Sequence, residues 1–203
     1  MKLNWAERWA VNNPLRVIQQ ALEIRWMRRA AMDFPPEASV LEIGCGRGVG
    51  ARLILKEFGP SRIQVTDLDL EMLKKSRKYP GPGRHERVRL VAADALLLPY
   101  PSGSFDAVFG FGVIHHVVAW REALKELARL LRPGGFYFLE ELYPSLYANF
   151  LTKRILLHPK QERFEANSWR QALRLSGFEL RKVLEHPLLG ILGVAKYVVS
   201  QGK

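Results

Sequence analysis

Glycines at every second position end a short apolar run near the start of the chain. Residues 40–43 include one acid, Glu42, and are followed by Gly44, Gly46 and Gly48. This pattern is typical of a buried strand that turns sharply into a helix. Glycine has no Cβ, so a ligand can lie against the main chain, and the N–H groups of the helix's first turn suit anionic or strongly hydrogen-bonding groups. The alternative, an ordinary glycine-rich turn, needs neither the regular spacing nor the acid.

Acidic residues end the next two apolar runs as well. Asp67 follows residues 63–66, Asp94 follows residues 88–93, and Phe111 ends a fourth run. The carboxyl ends of parallel strands lie at one edge of a sheet, where ligands bind, so these residues are predicted to meet Gly44 there. The alternatives are helix capping by Asp67 and Asp69, and a strand-end turn at Asp94. For Asp69 we favour the cap.

Strand and helix patterns alternate along the chain. A fifth strand is predicted at 136–142 and two final strands, able to pair antiparallel, at 178–185 and 191–199. The predicted helices are 51–58, one beginning at 70, 119–131 and 167–176, the last capped by Asn167 or Ser168. Alternation of this kind predicts an α/β fold with a doubly wound, mostly parallel sheet. A chain of 203 residues suits one hydrophobic core.

Two segments outside this pattern are rich in aromatic residues. Residues 3–33 are predicted to form one or two helices with an apolar stripe that is expected to pack on the core. The stripe consists of Leu15, Ile18, Leu22 and Trp26 and is widened by Val17, Ala21 and Ile24. Residues 143–164 form a long irregular segment of the kind that often has a function. The alternative for both is the wall of an apolar pocket, formed by Trp5, Trp9, Trp26, Met27, Tyr143, Tyr147 and Phe150.

The formal net charge of +11 is partly clustered. Residues 74–89 hold one acid, Glu86, against Lys74, Lys75, Arg77, Lys78, Arg84, Arg87 and Arg89. Such a stretch could contact nucleic acid, acidic lipid or an anionic substrate. A solvated helix face and loop is favoured, because Tyr79 is the only aromatic residue there that could stack on a base.

Cysteine content and hydropathy bound the remaining classes. Cys45 is the single cysteine, which excludes an internal disulfide and a cysteine-based zinc site and fits a reducing, cytoplasmic location. No metal site is expected. The first 20 residues lack the apolar core of a secretory signal, and the longest apolar tract, 187–195, is too short to span a bilayer.

Four stretches in the same order and spacing resemble the class I S-adenosylmethionine-dependent methyltransferases, especially the small-molecule branch related to ubiquinone and menaquinone methyltransferases. They are the Glu-x-Gly-x-Gly-x-Gly motif at 42–48, the acid and Glu-Met-Leu at 67–73, the Asp-Ala and Leu-Pro-Tyr-Pro stretch at 94–106, and the Ile-His-His-Val and Leu-Arg-Pro-Gly-Gly stretches at 114–135. The resemblance covers residues 38–142. It implies a Rossmann-like seven-stranded sheet with an antiparallel last strand, and S-adenosylmethionine as the cofactor.

The resemblance also implies roles around the cofactor. Gly44, Gly46 and Gly48 would lie against its methionine part, with Glu42 ordering the loop. Asp67 would accept hydrogen bonds from both ribose hydroxyls, which suits a carboxylate because it is acceptor-only.

The adenine side follows the next two strands. Leu68 and Met72 would flank the ring, Asp94 would accept from its exocyclic amine, and the Ala95 N–H would donate to a ring nitrogen. Phe111 completes the predicted cofactor-binding set.

Transfer of an activated methyl group needs a general base only when the acceptor carries a proton. His115 and His116 are the candidate catalytic residues, with capping and packing as the alternatives, and His158 and His186 are weaker candidates. We expect a small hydrophobic or aromatic acceptor. Residues 1–38 would form a helical lid on a cofactor-binding domain at 39–203, with 143–164 as a substrate-side insertion.

Three other functions fit the sequence less well. A dinucleotide-binding oxidoreductase would leave Gly44 and Asp94 without a role. Nucleic-acid methylation is not favoured, because the usual motifs of adenine and cytosine methyltransferases are missing, although the basic 74–89 stretch keeps an RNA-directed enzyme as an alternative. The last is a non-catalytic S-adenosylmethionine-binding protein. The sequence leaves the oligomeric state open.

Overall fold

A computed structural model describes residues 13–78, 85–147 and 163–198. The helices are α1 (Pro14–Ala30), α2 (Val49–Glu57), α3 (Leu70–Ser76), α4 (Trp120–Leu130), α5 (Pro144–Tyr147) and α6 (Ala166–Leu175). The strands are β1 (Ser39–Ile43), β2 (Arg62–Asp67), β3 (Val88–Ala92), β4 (Phe105–Phe111), β5 (Leu131–Leu142), β6 (Phe178–His186) and β7 (Gly190–Tyr197). Short 3₁₀ turns lie at His85–Arg87 and Ile114–His116. No described helix is long and apolar enough to cross a membrane.

The strands form one sheet in the order β3-β2-β1-β4-β5-β7-β6. Five neighbouring strands of this sheet, β3, β2, β1, β4 and β5, pair in parallel. Strand β7 runs antiparallel to both β5 and β6. Strand β1 is buried along its whole length, as its position between β2 and β4 requires. The predicted seven-stranded sheet with an antiparallel last strand is confirmed, and the chain order reverses between β1 and β4, where ligands bind in such sheets.

Two apolar layers cover the sheet. On one face, α4 and α6 pack Trp120 and Trp169 with Phe164 over β5. The other face carries an aromatic cluster of Phe34, Phe58, Phe109, Phe136 and Phe138, with ring centroids 4.4–6.0 Å apart between contacting rings. Helices α1 and α2 complete that layer, so α1 shares a core with the main sheet.

The face that α1 buries differs in part from the prediction. Leu15, Ile18 and Leu22 are 77%, 59% and 60% exposed, whereas Ile24, which belongs to the predicted stripe, and Met27, which does not, are fully buried. Apolar residues are distributed all around this helix, so its periodicity did not define one face. Burial is decided by the aromatic cluster, which contacts the C-terminal half of α1. Met27 is therefore a core residue and not part of a pocket wall.

Two element ends also differ from the prediction. Strand β5 begins at Leu131, because Leu131 pairs with Phe105 across an irregularity before the regular ladder begins at Phe136. Helix α6 is capped by Glu165 and not by Asn167 or Ser168, although the Ser168 hydroxyl accepts from the Glu165 N–H and so completes the cap.

Several predictions fall outside the described residues. Trp5, Trp9, Phe150, His158 and Tyr79 belong to these parts of the chain, and so does the Tyr147 side chain. The division at residue 38 and the insertion at 143–164 stay predictions.

Candidate functional site

The glycine loop adopts a conformation that side chains rarely allow. Gly44, Gly46 and Gly48 have φ values of 61°, 52° and 85°. A Cβ on Gly44 would lie 2.5 Å from Cγ2 of Val113, and one on Gly48 would lie 2.8 Å from Cβ of Ser76. At Gly46, in contrast, no atom of the described residues beyond its two chain neighbours lies within 4 Å of the Cβ position. The loop is therefore packed on two sides and opens into space at its middle, where a ligand could approach the backbone.

Glu42 lies buried below this loop. A Cβ on Gly50 would lie only 1.9 Å from its Oε1 atom, so Gly50, which we did not predict as a site residue, makes room for the carboxyl group. The Oε2 atom is buried and has no hydrogen-bond partner among the described residues. Burial and the nearby charge of Asp67 raise the pKa of Glu42 to about 8. A buried acid with an unpaired oxygen fits a ligand that brings a cationic hydrogen-bond donor.

Asp67 joins the loop to the end of β2. Its Oδ2 accepts from the Gly46 N–H at 2.9 Å and its Oδ1 from the Asp69 N–H at 2.8 Å. Burial raises the pKa of Asp67. Asp69 caps α3 by accepting from the Glu71 N–H at 2.9 Å, as predicted. Asp67 thus fixes the glycine loop, while its predicted contact with a ribose stays a prediction.

The residues predicted to hold the adenine ring lie at the ends of β2 and β3. Leu68 is exposed and Met72 is buried within α3. Asp94 is exposed and uses Oδ1 to accept from the Leu96 N–H at 2.9 Å, which is the turn-forming alternative and leaves its second oxygen for a ligand. Ala95 and Phe111 are half-buried, and Phe111 packs beside Phe109 at the end of β4.

The turn after β4 is held by a carboxylate that the sequence analysis did not include. Glu141 Oε1 accepts from the N–H groups of Ile114 at 2.8 Å and Val113 at 3.3 Å. Glu141 Oε2 accepts from the His115 N–H at 3.2 Å and lies 2.7 Å from His115 Nδ1. Both side chains are almost completely buried. This contact orients the His115 ring, and the His116 ring packs on it at a centroid distance of 4.2 Å.

A second buried acid, Glu140, links the end of β5 to α1. Its carboxylate pairs with Arg16, which also contacts Glu23 at 2.8 Å. Burial raises the pKa of Glu140 to about 7 despite the opposing effect of Arg16. The backbone of Glu140 accepts from the Gly112 N–H at 2.7 Å. The first turn of α1 is thus fixed beside the turn that carries His115. An acid pair inside a buried strand was the sequence signal for both Glu140 and Glu141.

Metal-ligating side chains and the thiol of Cys45 are the other groups that could supply chemistry here. No group of three or more His, Cys, Asp or Glu side chains that could hold a metal ion occurs in residues 13–78, 85–147 and 163–198. Burial raises the pKa of the Cys45 thiol far above neutral, so this residue is a poor nucleophile.

Comparison with known proteins gives a consistent result. Residues 41–139 match the family described as "Methyltransferase domain". The demethylmenaquinone methyltransferase of Thermus thermophilus is 37% identical over 136 residues, which are 64% of this chain and 59% of the relative. The sterol 24-C-methyltransferase of Gibberella zeae is 30% identical over 160 residues, which are 73% of this chain and 41% of the relative. The chain thus spans about half the length of these relatives.

Solved structures share the whole fold. An S-adenosylmethionine-dependent methyltransferase from Aquifex aeolicus superimposes with a TM-score of 0.72 at 18% identity, over 97% of this chain and 100% of the other. At this level of identity the similarity concerns the fold.

Proposed function

We propose that this chain, whose residues 41–139 match the methyltransferase domain family, is a methyltransferase that transfers the methyl group of S-adenosylmethionine to a small hydrophobic or aromatic acceptor. The family and the fold neighbours imply S-adenosylmethionine as the cofactor. The observation that supports the activity best is the convergence of Glu42 and Asp67 on a glycine loop that is open at Gly46.

The residues at the loop fit this cofactor. S-Adenosylmethionine is cationic at its sulfonium and ammonium groups, and it supplies an activated methyl group when bound. The unpaired Oε2 of Glu42 is suited to an ammonium donor, and Asp67 to the ribose hydroxyls. The loop backbone at Gly44, Gly46 and Gly48 would approach the methionine part. Leu68, Met72, Asp94, Ala95 and Phe111 would enclose the adenine side.

On the acceptor side, His115 is the candidate general base and Glu141 its positioning residue. Glu141 Oε2 lies 2.7 Å from His115 Nδ1 and so fixes the orientation of the ring that would take the proton from the acceptor. The same carboxylate fixes the backbone of the turn, so the ring cannot move without breaking hydrogen bonds. This role applies to an acceptor that loses a proton. His116 packs against the His115 ring and would help to hold it in place.

An apolar acceptor is favoured by the relatives and by α1. Two of the relatives are named for the methylation of demethylmenaquinone and a sterol. Arg16 fixes the start of α1 beside the His115 turn through Glu140, and the neighbouring Leu15 and Ile18 side chains are exposed there. We propose that this part of α1 and the segment after β5 form the acceptor lid.

The proposed activity can be tested with S-adenosylmethionine that carries a labelled methyl group. The protein is incubated with separate lipid, RNA and protein fractions of a cell extract, beside Asp67→Ala and the matched control Asp33→Ala, which removes an exposed aspartate. We expect label in the lipid fraction, lost only in Asp67→Ala. Label in RNA or protein would contradict the acceptor class, and binding of the cofactor without transfer to any fraction would contradict the enzymatic activity.

A further inference from the structure

Four cationic side chains gather where the glycine loop meets α3. Arg47, Lys74, Lys75 and Lys78 line a cavity of about 410 Å³, which we call the basic cavity. We propose that the basic cavity binds a phosphate group carried by a larger ligand. The basic cavity differs in charge from the proposed cofactor site, which holds the acids Glu42 and Asp67.

The backbone brings these cations together from two elements. Arg47 lies between Gly46 and Gly48, and Gly48 packs so closely on α3 that a Cβ there would lie 2.8 Å from Cβ and 3.1 Å from the backbone oxygen of Ser76. Ser76 is the last residue of α3 and is flanked by the lysines of the basic cavity. The close contact between loop and helix therefore places Arg47 against them.

The charges in the basic cavity are poorly balanced. Lys74 pairs with Glu71 at 2.8 Å, but no ion pair is found for Arg47, Lys75 or Lys78 within the part of the chain that the structure describes. Lysines near the end of a helix interact favourably with its dipole, which accounts for Lys74 and Lys75. The helix dipole does not account for Arg47, which belongs to the glycine loop and not to α3. Like charges held together repel each other, and a bound anion removes that repulsion.

The size and the chemistry of the basic cavity suit a phosphate group on a larger ligand. Its volume lies within the range of small-molecule sites. Lysine binds phosphate as a compact point charge, and arginine adds a planar, bidentate donor. Both a soluble polyphosphate and a phospholipid headgroup carry this chemistry. Because Arg47 belongs to the loop that would hold the cofactor, an anion bound there is expected to change cofactor affinity, and the cofactor to change anion affinity by the same factor.

Binding can be measured by calorimetry with tripolyphosphate and by sedimentation with phosphatidylglycerol vesicles, with phosphatidylcholine vesicles as the neutral comparison. The variant Lys75→Gln/Lys78→Gln removes two charges from the basic cavity. The matched control Lys56→Gln/Lys182→Gln removes two exposed charges elsewhere, so the net charge of the two variants is equal. Thermal melting of both variants verifies that they fold.

We expect the basic-cavity variant to lose about 10-fold or more in affinity for at least one of the two phosphate probes, from the loss of charge-assisted hydrogen bonds, and the control less than about 2-fold. Loss with tripolyphosphate identifies a soluble ligand, and loss with phosphatidylglycerol vesicles alone identifies a headgroup. Equal losses in the two variants, or no binding of either probe at physiological salt, would overturn the proposal. Neither measurement involves methyl transfer, so a failure of the proposed function would be distinguishable.

Discussion

Glu42→Gln tests the electrostatics of the proposed cofactor site directly. Burial and the charge of Asp67 raise the pKa of Glu42 from the usual 4.5 to about 8, so the folded protein keeps a proton that the unfolded chain releases above pH 4.5. The stability of the wild type therefore falls as pH rises between these values, by about 1.4 kcal/mol per pH unit for one proton. Over the whole interval the loss amounts to at most about 5 kcal/mol. Glutamine cannot ionise, so the Glu42→Gln variant does not show this loss of stability.

The assay is urea unfolding of both proteins at several pH values between 5 and 8. Other titrating groups contribute equally to both proteins and cancel in the difference. The stability of Glu42→Gln relative to the wild type should therefore increase steadily as pH rises. Glu71→Gln, which changes an exposed acid whose pKa is lowered by Lys74, serves as the control and should show no trend above pH 6. A pH-independent difference between Glu42→Gln and the wild type would refute the buried, protonated state of Glu42.

The same carboxyl group predicts proton release on cofactor binding. An ammonium group placed beside Glu42 favours its ionised form, so binding near pH 7 should release a fraction of a proton. Calorimetry in two buffers of different ionisation enthalpy measures this release. It should disappear in Glu42→Gln. Equal release from both proteins would place the cationic group elsewhere.

Three further changes test the rest of the site. Asp67→Ala should weaken cofactor binding about 10- to 100-fold, from the loss of charge-assisted hydrogen bonds, and unchanged affinity in calorimetry would remove Asp67 from the site. Gly50→Ala should destabilise the fold by about 1–3 kcal/mol, because its Cβ would overlap Glu42, and Glu42→Ala in the same chain should restore part of the loss. Arg16→Met leaves Glu140 buried without its cation, so we expect the free energy of unfolding to fall by about 3–5 kcal/mol above pH 7. At pH 5.5, where Glu140 is protonated, the loss should be smaller, and equal losses at both pH values would contradict the raised pKa of Glu140.

Local sequence patterns were sufficient to predict the residues at the strand ends. The glycine spacing at 44–48 and the acids at Asp67 and Asp94 follow short apolar runs, and the parallel sheet then brings them to one edge whatever the helices do. The buried face of α1 could not be predicted in this way, because apolar residues surround the helix and only the aromatic cluster at Phe34 and Phe58 selects Met27. The role of Gly50 could not be predicted either, because its close approach to the Glu42 side chain exists only in the folded protein.

The carboxylates at the sheet's ligand-binding edge give the site a character opposite to that of the whole chain. The protein carries 31 Lys and Arg against 20 Asp and Glu, yet four acids are buried or half-buried at the ends of its strands: Glu42, Asp67, Glu140 and Glu141. Glu140 is balanced by Arg16, and Glu141 by the N–H groups of the turn at 113–115. Glu42 and Asp67 have no cation beside them in the described residues. A ligand that brings positive charge to the glycine loop would favour the ionised form of both acids, and this is the electrostatic argument for the proposed cofactor site at 42–48.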